Sequence, residues 1–279
     1  MKRLEHVADL RAELAAARAQ RARIALVPTM GYLHEGHLTL VDRARAAADC
    51  VVVSVFVNPL QFGPDEDFER YPRNLVRDAG LLERRGVDVM FAPEQSELYP
   101  SGDPLVRVSP GVLAERLCGA YRPGHFEGML TVVAKLFNLV QPDTAVFGQK
   151  DFQQTVLVRR MVRDLDMPVA IDVAPIIREE DGLAMSSRNA YLDFDQRTRA
   201  VSLHRGLQRA RDAFRAGERD PVRLRGMVRR EIAGGIEPQY IEIVDPETLE
   251  PVRMARSGNV VALAAHIGRT RLIDNIVLD

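Results

Sequence analysis

The chain has 279 residues, close to two domains at ~150 residues each. Its 46% hydrophobic and 28% charged residues are ordinary globular usage, which excludes intrinsic disorder for the bulk of the chain. Lys and Arg number 38 against 39 Asp and Glu, a formal charge of −1, so no nucleic-acid partner is expected, although local basic clusters leave room for a small phosphate compound.

Cys50 and Cys118 make neither a disulfide framework nor a metal-ligand spacing. The longest apolar run, 50–57, is far short of the ~20 residues of a membrane helix, so no membrane partner is expected. Glu5, Asp9 and Glu13 are foreign to a transit peptide and no apolar signal core precedes them, which points to the cytoplasm.

In chain order, Leu4, Val7, Ala8 and Leu14 fall at helical spacing, predicting a helix over 4–20. Residues 24–27 read as a buried strand ended by Pro28, 36–48 as a helix, and 50–57 as a valine-rich strand halted by Asn58-Pro59. A charged helix over 73–85 ends at Gly86 and leads into a strand over 87–91. The alternation continues with a helix over 129–139, a strand over 144–147, a helix over 152–163 and a last strand over 169–173. Strands alternating with helices imply a parallel sheet with right-handed crossovers. The expected fold class is therefore α/β: a doubly wound, Rossmann-like domain over 1–175, with ligands at the carboxyl ends of its strands.

After Pro175 the pattern changes. Residues 178–189 are polar and aperiodic, a loop or hinge; helices follow over 195–214 and 221–232, then strands over 240–244, 260–266 and 271–277. The last two are joined by Ile267-Gly268-Arg269-Thr270, as in a hairpin. This is a smaller α+β domain over 176–279.

Five segments collect polar residues. The first runs from Pro28 to His37, where Gly31 and Gly36 permit close backbone approach and a helix N-terminus offers free N–H groups to a phosphate. His34 and His37, one turn apart, can donate to phosphate oxygens; the competing readings are a metal pair, for which no third ligand is evident, or two structural histidines. The second is Asn58-Pro59-Leu60-Gln61-Phe62, whose Gln61 can donate and accept toward a hydroxy acid. The third, Arg122-Pro123-Gly124-His125-Phe126, is a turn flanked by a cation and a histidine. In the fourth, Gly148-Gln149-Lys150-Asp151, the lysine is placed to neutralise phosphate and Asp151 either helps hold Mg²⁺ or caps a helix. In the fifth, Met185, Ser186, Ser187 and Arg188 form either a mobile clamp for a triphosphate or a solvated loop. The chain contains no Walker A run, dinucleotide fingerprint or nucleophile elbow.

Taken together, the H-x-G-H element and the late Ser/Arg loop resemble the nucleotidyltransferase superfamily. The fuller strings Pro28-Thr29-Met30-Gly31, His34-Glu35-Gly36-His37, Phe56-Val57-Asn58-Pro59, Tyr71-Pro72-Arg73, Arg122-Pro123-Gly124-His125-Phe126, Lys150-Asp151, 181–189 and Leu272-Ile273-Asp274-Asn275 resemble the pantoate–β-alanine ligase family over nearly the whole chain. That resemblance implies ATP with Mg²⁺, the substrates pantoate and β-alanine, a pantoyl-adenylate intermediate with release of pyrophosphate and AMP, and a homodimer. It implies catalytic roles for His34, His37 (the proton donor of the family) and Lys150. The nucleotide site it implies comprises Met30, His34, Gly36, His37, Gly148, Lys150, Asp151, Ile177, Met185, Ser186, Ser187 and Arg188, with the 176–279 domain as a lid. Gln61 and Gln154 would hold pantoate, Gln61 also facing β-alanine. Gln149, where the family more often has Glu, and Leu60, where Met is common, are the departures. Competing functions are a nucleotidyltransferase whose adenylylated product persists and a nucleotide-binding regulator without turnover.

Overall fold

The structure, a computed structural model, describes all 279 residues and divides into two compact units. The first comprises 1–110, 122–149 and 157–175; the second comprises 111–121, 150–156 and 176–279. The second therefore includes two stretches upstream of residue 176.

The strands of the first unit are β1 (Lys2–Leu4), β2 (Ile24–Thr29), β3 (Cys50–Val55), β4 (Val89–Phe91), β5 (Thr144–Gly148) and β6 (Ala170–Ala174). All pair in parallel, in the order β1-β4-β3-β2-β5-β6. The helices of the chain, in order, are α1 (Val7–Ala19), α2 (Glu35–Ala47), α3 (Leu75–Arg84), the short α4 (Gln95–Leu98) and α5 (Cys118–Tyr121), α6 (His125–Val140), α7 (Phe152–Asp164), α8 (Phe194–Arg215) and α9 (Pro221–Glu231). None is long and apolar enough to cross a membrane.

Every residue of β3 is buried, as a strand covered on both faces requires. On one face Ala25, Val27, Val51, Val53 and Val146 pack with Leu38, Val41 and Ala44 of α2 and with Ala79 and Leu82 of α3. The alternate residues face the other way, where Phe137 of α6 meets Phe147 edge-on with centroids 6.5 Å apart. Burying each such side chain contributes about 1.5–3 kcal/mol.

Several boundaries differ from the sequence reading. The helix predicted over 4–20 starts only at Val7, and Leu4 instead ends an edge strand on β4 in which Lys2, Arg3 and Leu4 pair with Val89, Met90 and Phe91. β2 does not stop at Pro28. The Phe56 N–H bonds the Thr29 carbonyl on the β3 side, so the N–H that Pro28 lacks would face β5, whose ladder covers only Ala25 and Leu26. α6 starts at His125 rather than near 129.

In the second unit β7 (Ile236–Val244), β8 (Val260–Ile267) and β9 (Thr270–Val277) form an antiparallel sheet, with the expected hairpin between β8 and β9. Leu203, Leu207, Leu224 and Val228 of α8 and α9 share a core with Ile241, Val261, Leu263 and Leu272. A Cβ at Gly206 would lie 2.9 Å from the Val228 carbonyl, so α8 and α9 approach closely there. Asp193 and Gln196 cap α8 reciprocally, and Asp220 with Pro221 starts α9. A second core explains the two upstream stretches: Leu117, Phe152 and Val156 pack with Val244, Leu249, Val260 and Ala262.

Candidate active site

In the first unit the strand order reverses between β2 and β5, since the chain builds outward through β3 and β4 and then returns to start β5 beside β2. In such sheets ligands bind in the crevice beyond the carboxyl ends at this reversal. The 30–37 segment leaves β2 there, and Gly148 ends β5.

The loop after β2 owes its shape to two consecutive left-handed residues, Gly31 (φ +81) and Tyr32 (φ +50). A Cβ at Gly31 would lie 2.8 Å from Val55 and 3.1 Å from Asp78, so no larger residue fits without displacing them. Asp78 of α3, almost fully buried, accepts the Tyr32 N–H at 2.7 Å and the Leu33 N–H at 2.8 Å. Burial pushes the Asp78 carboxyl up from its ordinary value, against the pull of these two N–H groups and of Arg77. The loop delivers His34 as N-cap of α2 and His37 in its first turn. Their ring centroids are 4.0 Å apart, and the His34 N–H lies 3.3 Å from His37 Nδ1. Two imidazoles at a helix N-terminus form a compact donor set for an anion. Gly36 lies between them, in the first turn of α2.

Gln61 ends the 3-10 turn Pro59–Gln61 after β3. Buried Asn58 directs it: Nδ2 donates to Gln61 Oε1 (3.2 Å) and to the Gly128 carbonyl (3.1 Å), while Oδ1 accepts from Tyr99 Oη (2.9 Å). Burial pushes the Tyr99 phenol well up, so it remains a donor. With Gln61 Oε1 engaged, its Nε2 is the donor end and lies 3.1 Å from Met30 Sδ. Gly128 makes this possible, because a Cβ there would fall 2.0 Å from the Leu60 carbonyl oxygen. Asn58 figured in the sequence as a strand stop and within the polar and motif strings, without a role of its own; Asp78, Tyr99 and Gly128 carried no signal there.

In the second unit, residues 177–185 are a tight hairpin rather than the aperiodic loop the sequence suggested. Met185 N–H bonds Ile177 C=O (3.0 Å), Glu179 N–H bonds Leu183 C=O (2.9 Å), and Arg178 bridges Ala184. Gly182 (φ +96) turns the hairpin against the His204 ring, which a Cβ would approach to 2.7 Å. Arg178 grips Asp274 of β9 through two bonds of 2.7 and 2.9 Å and also donates to the Gly182 carbonyl. Arg197 pairs with Glu179 and Asp181, and Asn189 Nδ2 donates to Glu179 (2.7 Å). The segment Met185, Ser186, Ser187, Arg188 follows at once, with Ser186 Oγ accepting the Arg188 N–H as cap of the turn Ser187–Tyr191.

Lys150 and Asp151 lie in the 3-10 turn Gln149–Asp151 before α7. The Lys150 carbonyl accepts from Asn275 Nδ2 at 3.1 Å, which anchors the lysine's backbone. The adjacent glutamines differ. Gln153 is buried and spent on bonds to Leu113, Arg116 and Cys118; Gln154 is partly exposed. No group of three or more His, Cys, Asp or Glu converges on a metal-sized point.

A parallel doubly wound sheet with a histidine-bearing loop at its reversal defines a Rossmann-like α/β protein built to hold an anionic ligand. Residues 2–277 match the family described as Pantoate-beta-alanine ligase, and the chain belongs to that family and is an enzyme of the ligase class. It is 54% identical over 281 residues to the pantothenate synthetase of Geobacter sulfurreducens, covering 100% of this chain and 99% of that one. Its fold matches the crystal structure of pantothenate synthetase from Thermus thermophilus with a TM-score of 0.94 at 47% identity, covering 100% and 99% of the two chains. It also matches the pantoate-beta-alanine ligase of Francisella tularensis, crystallised in complex with beta-gamma ATP and beta-alanine, with a TM-score of 0.84 at 33% identity, covering 99% and 97%.

Proposed function

We propose that this enzyme condenses pantoate with β-alanine at the expense of ATP, through pantoyl adenylate. Membership of the ligase family supports the overall reaction. A carboxylate is a poor acylating agent. Its attack on the α-phosphate of ATP, supplied as the magnesium complex, releases pyrophosphate and converts it to a mixed anhydride. The β-alanine amine then attacks the acyl carbon, forming the amide as AMP departs.

The observation that carries the reading is the His34–His37 pair at the β2–β5 reversal, 4.0 Å apart. Both, with Met30, Gly36 and Gly148, are assigned to ATP; His37 also acts as proton donor. Gln61, its Oε1 held by Asn58 so that Nε2 is the donor end, donates to pantoate, with Gln154 as second contact. Lys150 stabilises charge on the phosphates, and Asp151, Ile177, Met185, Ser186, Ser187 and Arg188 complete the nucleotide contacts. The 176–279 domain serves as lid, excluding water from the anhydride. Asp151 is the one carboxylate assigned near the phosphates, consistent with Mg²⁺ that keeps phosphate and water ligands. A cytoplasmic homodimer completes the proposal, and sedimentation tests its oligomeric part.

The test follows pyrophosphate and AMP with ATP, Mg²⁺ and pantoate, with and without β-alanine. Pyrophosphate release that needs pantoate, with AMP and pantothenate appearing on addition of β-alanine, is expected. No pantoate-dependent release from folded, ATP-binding protein would overturn the reading.

A further inference from the structure

The turn Arg122-Pro123-Gly124-His125 has no part in the assignments above, yet its side chains converge on Gln61. His125, the first residue of α6, places Nδ1 2.7 Å from the Gln61 carbonyl oxygen and Nε2 2.9 Å from Arg122 Nη1. A carbonyl can only accept, so Nδ1 carries the hydrogen. A guanidinium can only donate, so Nε2 presents a lone pair. The two contacts together require the neutral Nδ1–H tautomer. Arg122 Nη2 lies 3.3 Å from the same carbonyl, and its Nε and Nη2 each bond one oxygen of Glu66 at 2.6 Å. Glu66 belongs to the segment that leaves Gln61. Gly124 (φ +79) turns the chain so that the arginine and the histidine reach one carbonyl.

We infer that His125 is a positioning residue for Gln61. Its tautomer-locked ring fixes the Gln61 main chain while Asn58 fixes the side chain. Through Arg122 and Glu66 it also ties down the segment that follows. Gln61 thus emerges with both its backbone and its amide preset, and little of its freedom remains to be lost on binding.

This rests on the proposed role of Gln61, and the experiment separates the two. In the full-length enzyme labelled with ¹⁵N-histidine, the resonances absent from His125→Asn identify His125. A pyrrole-type signal at Nδ1 and a pyridine-type signal at Nε2 are expected at a pH where the enzyme turns over; an Nε2–H tautomer or an imidazolium would overturn the inference.

His125→Phe keeps the ring's bulk and deletes both bonds. Its KM for pantoate should rise roughly tenfold or more with KM for ATP unchanged. His125→Asn retains a donor near the Nδ1 position and should recover most of the loss. Equal rises for ATP and pantoate, or no recovery by Asn, would make the role merely structural. Gln61→Ala is the control: if it leaves pantoate KM unchanged, the role of Gln61 itself fails. If it raises that KM while His125→Phe does not, the inference about His125 fails alone. Should His125→Phe not fold, the tautomer and the Asn variant still decide.

Discussion

Asp78 holds the backbone of Leu33 from 45 positions away, its Oδ1 accepting the Leu33 N–H at 2.8 Å while Oδ2 takes that of Tyr32. One buried carboxylate on α3 thereby shapes the loop that delivers both histidines. Asp78→Asn keeps one acceptor but sets an amide N–H₂ against the other donor. It should cost about 1–3 kcal/mol in urea denaturation and raise KM for ATP. Lost stability with an unchanged ATP KM would detach Asp78 from the site.

Gly128→Ala tests the contact that seats Gln61. The added methyl would lie 2.0 Å from the Leu60 carbonyl oxygen, so α6 must shift from the turn Pro59–Gln61. Overpacking of this kind costs about 1–3 kcal/mol. The expected signature is weaker pantoate binding in calorimetry; wild-type affinity would show that the turn moves with the helix at no loss.

Lys150→Ala should fold and lose adenylation, because one preorganised donor to developing charge is worth ~3 kcal/mol. Pantoate-dependent exchange of pyrophosphate into ATP reads the first half-reaction alone. Near-normal exchange would remove Lys150 from the chemistry.

Glu66 gives a pH prediction. Burial works against its charged form, yet the hydrogen bonds and charge of Arg122 outweigh that and hold its carboxyl below the ordinary 4.5. A depressed folded value means the pair stabilises the fold above pH 4.5 and the contribution fades as pH falls below it. Glu66→Gln should therefore be less stable than the wild type by about 1–3 kcal/mol near pH 7, with the gap closing in acid. A gap independent of pH would mean the ion pair is not its source.

Asp274→Asn removes the charge and one of the two acceptors that grip Arg178, leaving a half-buried guanidinium without its charge partner. Hydrogen exchange across 177–189 should accelerate in the variant, and ATP should protect the segment less than in the wild type. Exchange matching the wild type would show that Arg197, Glu179 and Asn189 suffice to hold the hairpin.

The alternation of valine-rich runs with amphipathic ones decided a doubly wound sheet, because a strand buried on both faces must be predominantly apolar, as 50–55 is apart from Ser54. Motif strings made His34, His37, Gln61 and Lys150 legible as candidates, since each sits in the segment that follows a strand. What remained hidden depends on partners distant in the chain. The pairing of residues 2–4 with 89–91 is invisible locally, since three residues carry no periodicity. The hairpin at 177–185 is polar because its braces, Asp274 and Arg197, are charged and lie elsewhere. Asp78, Asn58 and Gly128 are ordinary helix and turn residues in sequence, and only the tertiary structure brings their carboxylate, amide and missing Cβ to the backbones they position. Sequence patterns encode which side chains meet water and which ligand chemistry a loop can offer; the close approach of two backbones is settled only when the elements pack.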